Sequence, residues 1–367
     1  MRITFVTAGW GLSGGDRVIA IYAERLLRRG HQVLLVAPGK PAITPLDQVK
    51  SLTRGKGWVR PQDEPTHLPA EVPRLRLDRQ RPVADQDVPD ADVVVATWWE
   101  TAEWVGKLSA RKGAKAFFIQ HYEAFTYTPK DRVDAVWRLP LHKITISKWL
   151  VDLAREKFGD DHVSMVFNSV DTSQFHAPPR GKARIAAIGM LYSDVYWKGT
   201  DVAVEAVRKL ELTPNRVVAF SSNVSSPGVP PNPALPSGSS YYFRPEQDRI
   251  KDIYAECDVW LCGSRGEGFH LPPLEAMACR CPVVSTAVGG PADIVEDGSN
   301  GYVVPIGDST ALADRLERVL SLSEGDWKKM SDAAYATATR YTWDDATVLF
   351  EQALVEAVDR KARGELG

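Results

Sequence analysis

Short apolar runs alternate with stretches of helical periodicity from one end of the chain to the other, and that alternation leaves few folds open. Strand candidates fall at 3–7, 33–37, 93–97, 116–119 and 143–146, and a second series at 184–188, 217–221, 259–262, 282–285 and 301–304. Runs that are apolar throughout, rather than at every second residue, suit strands covered on both faces, the condition of a parallel sheet wrapped by its crossover helices. The segment HAPPRGK (176–182) interrupts the series with proline and glycine and reads as a linker. At 367 residues the chain is longer than an average domain and can fill two cores. The expected fold class is α/β, with two Rossmann-like domains whose parallel sheets face across a cleft, the first over 1–175 and the second over 184–340. Residues 41–89 are rich in proline and charge with little periodicity, so they read as long loops and short elements.

Ligands of such sheets bind beyond the carboxyl ends of the strands. The most informative stretch lies at one of these ends: EGFHLPPLE (267–275) follows the strand pattern DVWLC and runs into the helical pattern LEAMACR. A loop entering a helix that opens on Pro272 and Pro273 presents unpaired backbone N–H groups to an anion. Glu267 and Glu275 flank these amides, so a diphosphate bound there has a carboxylate on each side, one for a sugar and one for a ribose.

The run EGFHLPPLEAMACRCPVVSTAVGGPADIVEDGSNGYVV resembles the donor-binding segment of the retaining, nucleotide-sugar-dependent glycosyltransferases of family 4, whose hallmark is Glu-x7-Glu. Other segments are similar to that family in the expected order. They are the glycine loop after the first strand, FFIQHYE (117–123), FNSVDTSQF (167–175), IGMLYSDVYWKGTDVAVEA, and YTWDDATVLFEQAL, the start of a closing helix (343–362) that returns to the first domain. The resemblance implies the GT-B arrangement and transfer of a hexose or deoxyhexose, with retention, from a nucleotide-diphosphate sugar to an acceptor hydroxyl of a polysaccharide, glycolipid or natural product. It implies a co-substrate and no cofactor or metal. FFIQHYE and MLYSDVYWKG also resemble bacterial branches that build surface polysaccharides or decorate natural products, rhamnosyl transferases among them; the same resemblance leaves residues 41–89 as a place for acceptor-binding features.

Residue by residue, the resemblance makes Glu267 the carboxylate near the transferred sugar and Glu275 the one that accepts from the ribose. Lys198, beside Gly199, and the amides near Phe269, His270 and Leu271 are expected on the diphosphate. The family usually has arginine after the first glycine of its Gly-Arg…Lys-Gly segment; here Met190 follows Gly189, and Arg265 is a candidate to supply the missing charge. His121 is expected to project from a strand end toward the donor sugar and the acceptor. Arg244, next to Phe243, falls where the family holds the base. Trp98, Trp99 and Glu100 end another strand of the first domain, where the aromatic rings suit either stacking on an acceptor or burial between helices.

GWGLSG (9–14) also satisfies G-x-G-x-x-G between a strand and a helix, so a nicotinamide oxidoreductase has to be weighed. That fingerprint needs a carboxylate at the end of the second strand, and this one ends Val36-Ala37-Pro38-Gly39-Lys40. In the transferase reading Gly14 and Gly15 let the backbone approach the donor closely; a tight turn without a ligand is the plain alternative. A sugar-nucleotide-binding protein without turnover is a further one, which the intact Glu267 argues against.

A net charge of −2 gives no reason to expect nucleic acid. The four cysteines, Cys257, Cys262, Cys279 and Cys281, match no common zinc spacing and read as reduced core thiols. No apolar run is long enough to span a membrane, and the first residues read as a strand rather than a signal peptide, so a cytoplasmic protein is expected. Arg25, Arg28, Arg29, Lys107, Arg111, Lys112 and Lys115 give the first half basic faces, read as solvated surface with peripheral membrane contact as the alternative.

Overall fold

The computed structural model describes residues 1–41, 43–55, 57–58, 65–211, 215–221 and 234–366. The alternation in sequence becomes two parallel sheets, each in a unit of its own. One unit takes Met1–Thr145, Leu150–Val166 and Thr347–Gly367, the other Ile146–Trp149 and Phe167–Ala346.

In the first unit the strands β1 (Arg2–Val6), β2 (Gln32–Ala37), β3 (Arg74–Arg76), β4 (Val93–Ala96), β5 (Ala114–Ile119), β6 (His142–Thr145) and β7 (Val163–Met165) stand in the order β3-β2-β1-β4-β5-β6-β7, each pair parallel. The strand β4 is VVVA and is buried along its whole length. Helices on both faces remove this apolar surface from water, at about 1.5–3 kcal/mol per fully buried valine. The helix Gly14–Arg28 follows β1. Ser13 caps it by accepting from the Asp16 N–H at 3.1 Å, and it buries Val18, Tyr22 and Leu26 along one stripe.

The last helix, Trp343–Ala362, enters the first unit from Thr347 onward. Phe350 is fully buried there, stacked 4.2 Å from Tyr22 and edge-on to Phe118 at 5.1 Å. Glu351 accepts from Arg29 and bonds the His31 ring, both at 2.8 Å. Sequence-distant aromatic and ionic contacts thus make this helix a part of the first unit's core.

In the second unit β8 (Ala186–Leu191), β9 (Asn215–Ser221), β10 (Ser240–Phe243), β11 (Val259–Cys262), β12 (Val283–Thr286) and β13 (Gly301–Val304) stand in the order β10-β9-β8-β11-β12-β13, again parallel. Strand order reverses between β1 and β4 in one sheet and between β8 and β11 in the other. At such a switch the loops diverge to opposite faces and leave a crevice above the strand ends.

Several sequence expectations are corrected here. The strand expected at 184–188 starts later and runs on through Gly189 and Met190. Glycine at 189 is a packing requirement, since a Cβ would lie 2.5 Å from the Trp260 ring and 2.6 Å from the Cys257 Sγ. Met190 is buried in the second core, so the position where the family usually has arginine holds no charge in this chain. The segment 41–89 contains the helix Pro45–Thr53 and the edge strand β3, and its residues 42, 56 and 59–64 lie outside the described ones. The basic faces are reduced as well. Lys112 and Lys115 are buried, their ammonium groups bonded to the carbonyls of Val88 and Gly106, and Arg29 is paired with Glu351. Among the described residues no helix is long and apolar enough to cross a membrane.

Candidate active site

The second unit's switch point is built around two glycines. Gly199 has φ +57°, and a Cβ on it would lie 1.8 Å from the Gly263 carbonyl oxygen, so the loop after β8 and the end of β11 meet backbone to backbone. This contact places Lys198 over the end of β11. Its ammonium donates to both carboxylate oxygens of Glu267, at 2.9 and 3.0 Å. The Ser264 hydroxyl donates to Glu267 Oε1 at 2.9 Å, and Thr286 fixes Ser264 through its carbonyl at 2.6 Å. Glu267 is only 7 % exposed. Burial pushes its carboxyl up, but the His270 ring, the Lys198 ammonium and the Ser264 hydroxyl together outweigh burial, and it sits below its ordinary value.

The loop that follows is held from two sides. Trp149 Nε1 donates to the Gly268 carbonyl at 3.0 Å, and the Gly290 N–H donates to that of Phe269 at 2.5 Å. His270 precedes the helix Leu271–Ala278 in the left-handed region, φ +74°, where a non-glycine residue is strained. Its ring is buried, with Nε2 3.7 Å from Glu267 Oε1, and neither ring nitrogen has a hydrogen-bond partner among the described residues. Burial holds this imidazole down to about 4, against the pull of Glu267, so it is neutral at pH 7.

Pro272 and Pro273 have no N–H, so the donors at this helix end are those of the loop and of Leu271, the first helical residue. The N–H groups of Phe269, His270 and Leu271 find no acceptor among the described residues. Glu275, one turn into the helix and 8 % exposed, accepts from the Tyr254 hydroxyl at 2.9 Å.

Two sequence candidates stand apart from this group. Arg265 is clamped by Asp201 through two bonds of 2.7 Å and lies over the Tyr196 ring, so its charge is already matched. Arg244 follows the edge strand β10, with β9 between that strand and β8, and is exposed at φ +47°.

In the first unit the switch between β1 and β4 collects the remaining candidates. Among the described residues nothing packs within 4 Å of a Cβ built on Gly14, and one on Gly15 would meet only the Gln120 amide at 3.4 Å, so their packing does not demand glycine at either position. His121, beyond β5, bonds the Tyr122 carbonyl through Nδ1 at 2.8 Å and lies 4.9 Å from the Phe125 ring. Phe125 in turn stacks on Trp98 at 6.4 Å and on the exposed Tyr127 at 5.3 Å. Trp98 thus belongs to an accessible aromatic row, whereas Trp99 is buried beneath Arg132. Glu100 is half-buried in the first turn of the helix Trp99–Gly106.

Sequence reasoning passed over Glu123, which ends FFIQHYE. It is buried and accepts from the Trp99 N–H at 2.7 Å, and burial holds its carboxyl well above the ordinary range. The acidic end of that motif was the available signal. Gly263, the counterpart of Gly199, was also missed, since only the fold brings the two together.

The dinucleotide reading fails at β2. Its end is covered by the chain at Arg79, whose carbonyl takes the Gly39 N–H at 3.0 Å and whose backbone lies 2.5 Å from where a Gly39 Cβ would be. The four cysteines are buried free thiols, and among the described residues no group of three or more His, Cys, Asp or Glu side chains could hold a metal.

Two parallel Rossmann-like units define the GT-B class, and known proteins agree. A model of glycosyltransferase family 4 matches residues 12–174, and a model of the glycosyl transferases group 1 matches residues 182–322. The D-inositol 3-phosphate glycosyltransferase of Acidothermus cellulolyticus is 26 % identical over 390 residues, 92 % of this chain and 84 % of its own length. That of Xylanimonas cellulosilytica is 32 % identical over 170 residues, 45 % of this chain, and the match spans 40 % of that relative. Among solved structures, Anabaena Alr3699/HepE in complex with UDP superposes with a TM-score of 0.71 at 16 % identity, covering 98 % of this chain and 100 % of that one. The chain belongs to glycosyltransferase family 4 and has its GT-B fold.

Proposed function

We propose that this chain is a retaining glycosyltransferase that moves a hexose or deoxyhexose from a nucleotide-diphosphate sugar to an acceptor hydroxyl. One observation carries the reading: Lys198 and Glu267, 69 residues apart, meet at the switch point beside the amides of Phe269, His270 and Leu271, which have no acceptor among the described residues. The UDP bound to Alr3699/HepE and the transferase names of the relatives support it.

As the bond from the anomeric carbon to phosphate stretches, the sugar becomes positive and the diphosphate more negative. Fixed amides stabilise the leaving diphosphate without reorganising, and Lys198 adds its charge by turning from Glu267. Glu267, ionised and anchored by Ser264, orients a sugar hydroxyl and faces the developing positive charge. Glu275, steadied by Tyr254, accepts from the ribose. The acceptor hydroxyl enters on the face the phosphate leaves, and a phosphate oxygen takes its proton, so no strong side-chain base is needed. The aromatic row at Trp98, Phe125 and Tyr127, with His121, serves the acceptor. The acceptor itself is a polysaccharide, glycolipid or natural product.

A thermal-shift panel of UDP, GDP, dTDP and ADP tests the donor half, since a ligand that binds the folded form raises its melting temperature. Glu267→Gln is expected to keep the nucleotide response and abolish transfer. Proton NMR of the product reports whether the anomeric configuration is kept. No responding nucleotide, or an inverted product, overturns the proposal.

A further inference from the structure

His270 is the least explained side chain of the site. Its backbone is strained, its ring is buried beside Glu267, and both ring nitrogens lack partners among the described residues, an arrangement that costs free energy unless some state of the protein uses it. Among the described residues the one cation bonded to Glu267 is Lys198, which is also the residue proposed above to meet a diphosphate. Lys198 cannot give its full charge to both. We infer that His270 is the positioning residue that takes over Glu267 when a nucleoside diphosphate draws Lys198 away, accepting a proton from solvent so that an imidazolium replaces the ammonium beside the carboxylate.

The inference rests on the donor site proposed above and adds a proton to its binding equilibrium. The groups around the ring fit it. His270 lines a small recess with Leu191 from β8, Ala203 from the helix Thr200–Arg208, and Cys262 and Ser264 at the end of β11. The charged groups acting on the ring are Glu267 from its own loop and Lys198 from the loop after β8. Cys262 is a buried thiol whose ionisation burial opposes, and Asp201 and Arg265 are paired with each other. When Lys198 moves to phosphate, Glu267 is left as the dominant charge and favours the protonated ring.

The probe is UDP, or whichever of GDP, dTDP and ADP stabilises the protein. Calorimetric titrations near pH 7, in buffers of different ionisation enthalpy, give the protons taken up per ligand bound. His270→Asn, compatible with left-handed backbone and unable to protonate, is the comparison; its difference from the natural chain cancels protons bound by the ligand's own phosphate. The natural chain is expected to take up more, approaching one proton, and to lose affinity more steeply between pH 6 and pH 8. Equal uptake and equal pH dependence in the two overturn the inference, because the proton then resides elsewhere or Lys198 never leaves. If His270→Asn and His270→Gly both fail to fold, NMR of the His270 ring in the natural chain decides: the ligand must raise its titration midpoint, and an unmoved midpoint is contrary. Absence of any nucleotide binding removes the donor site itself, a result distinct from binding without proton uptake.

Discussion

Lys198→Met separates the two duties of the lysine by keeping its bulk and removing its charge. Losing one partner of a buried ion pair costs roughly 3–5 kcal/mol. The Lys198 side chain is 28 % exposed, so solvent screens it, and Ser264 stays on Glu267, which brings the expected loss to about 2–3 kcal/mol at pH 7. For binding, a charge-assisted bond to phosphate is worth about 1.5–3 kcal/mol, or ~10- to 150-fold in affinity. In the natural chain the lysine gives up Glu267 to make that bond, so the lower end, about tenfold, is expected. Titration calorimetry with the nucleoside diphosphate, and with its unphosphorylated nucleoside as control, measures it. Stability is followed against pH alongside. Natural Glu267 titrates below its ordinary value, so its contribution is complete above the unfolded carboxylate pKa and is lost as pH falls through the lower folded value. Without Lys198 the buried Glu267–His270 pair holds one proton more than Glu267 does beside the lysine, so acid restores stability. Unchanged diphosphate affinity together with an unchanged pH profile would refute the assignment of both duties.

Three further expectations follow from particular contacts. Gly199→Ala combines a left-handed alanine, ~1–2 kcal/mol, with overlap on the Gly263 carbonyl, ~1–3 kcal/mol, so denaturant unfolding should show a loss near 3 kcal/mol; an unaltered transition contradicts the backbone contact. Glu123→Gln keeps an acceptor for the Trp99 N–H and is expected to be near neutral at pH 7, whereas Glu123→Ala costs about 1–3 kcal/mol; equal losses by the same measurement would show that the natural carboxyl is charged. Phe350→Ala empties the pocket against Tyr22 and Phe118, at about 3–5 kcal/mol, and should expose the last helix to limited proteolysis; resistance equal to that of the natural chain contradicts its place in the first core.

The interior strands were legible because both their faces are buried and their runs are apolar throughout, as in β4. The edge strands β3, β7 and β10 were not, since RLR, VSM and SYYF leave residues exposed and carry no continuous run. The resemblance pointed to Glu267 and Lys198, but their mutual ion pair depends on Gly199 meeting Gly263, a contact no local pattern encodes. Arg265 shows a contact the sequence does not carry. Proximity in sequence suggested a phosphate ligand, and the fold pairs it with Asp201.

A crystal structure of the protein with the nucleoside diphosphate chosen by the thermal-shift panel tests the central claim most directly. The β-phosphate is expected within hydrogen-bonding distance of the amides of Phe269, His270 and Leu271, with the Lys198 ammonium turned from Glu267 toward it. A phosphate seated away from that loop, with Lys198 still closed on Glu267, contradicts the claim.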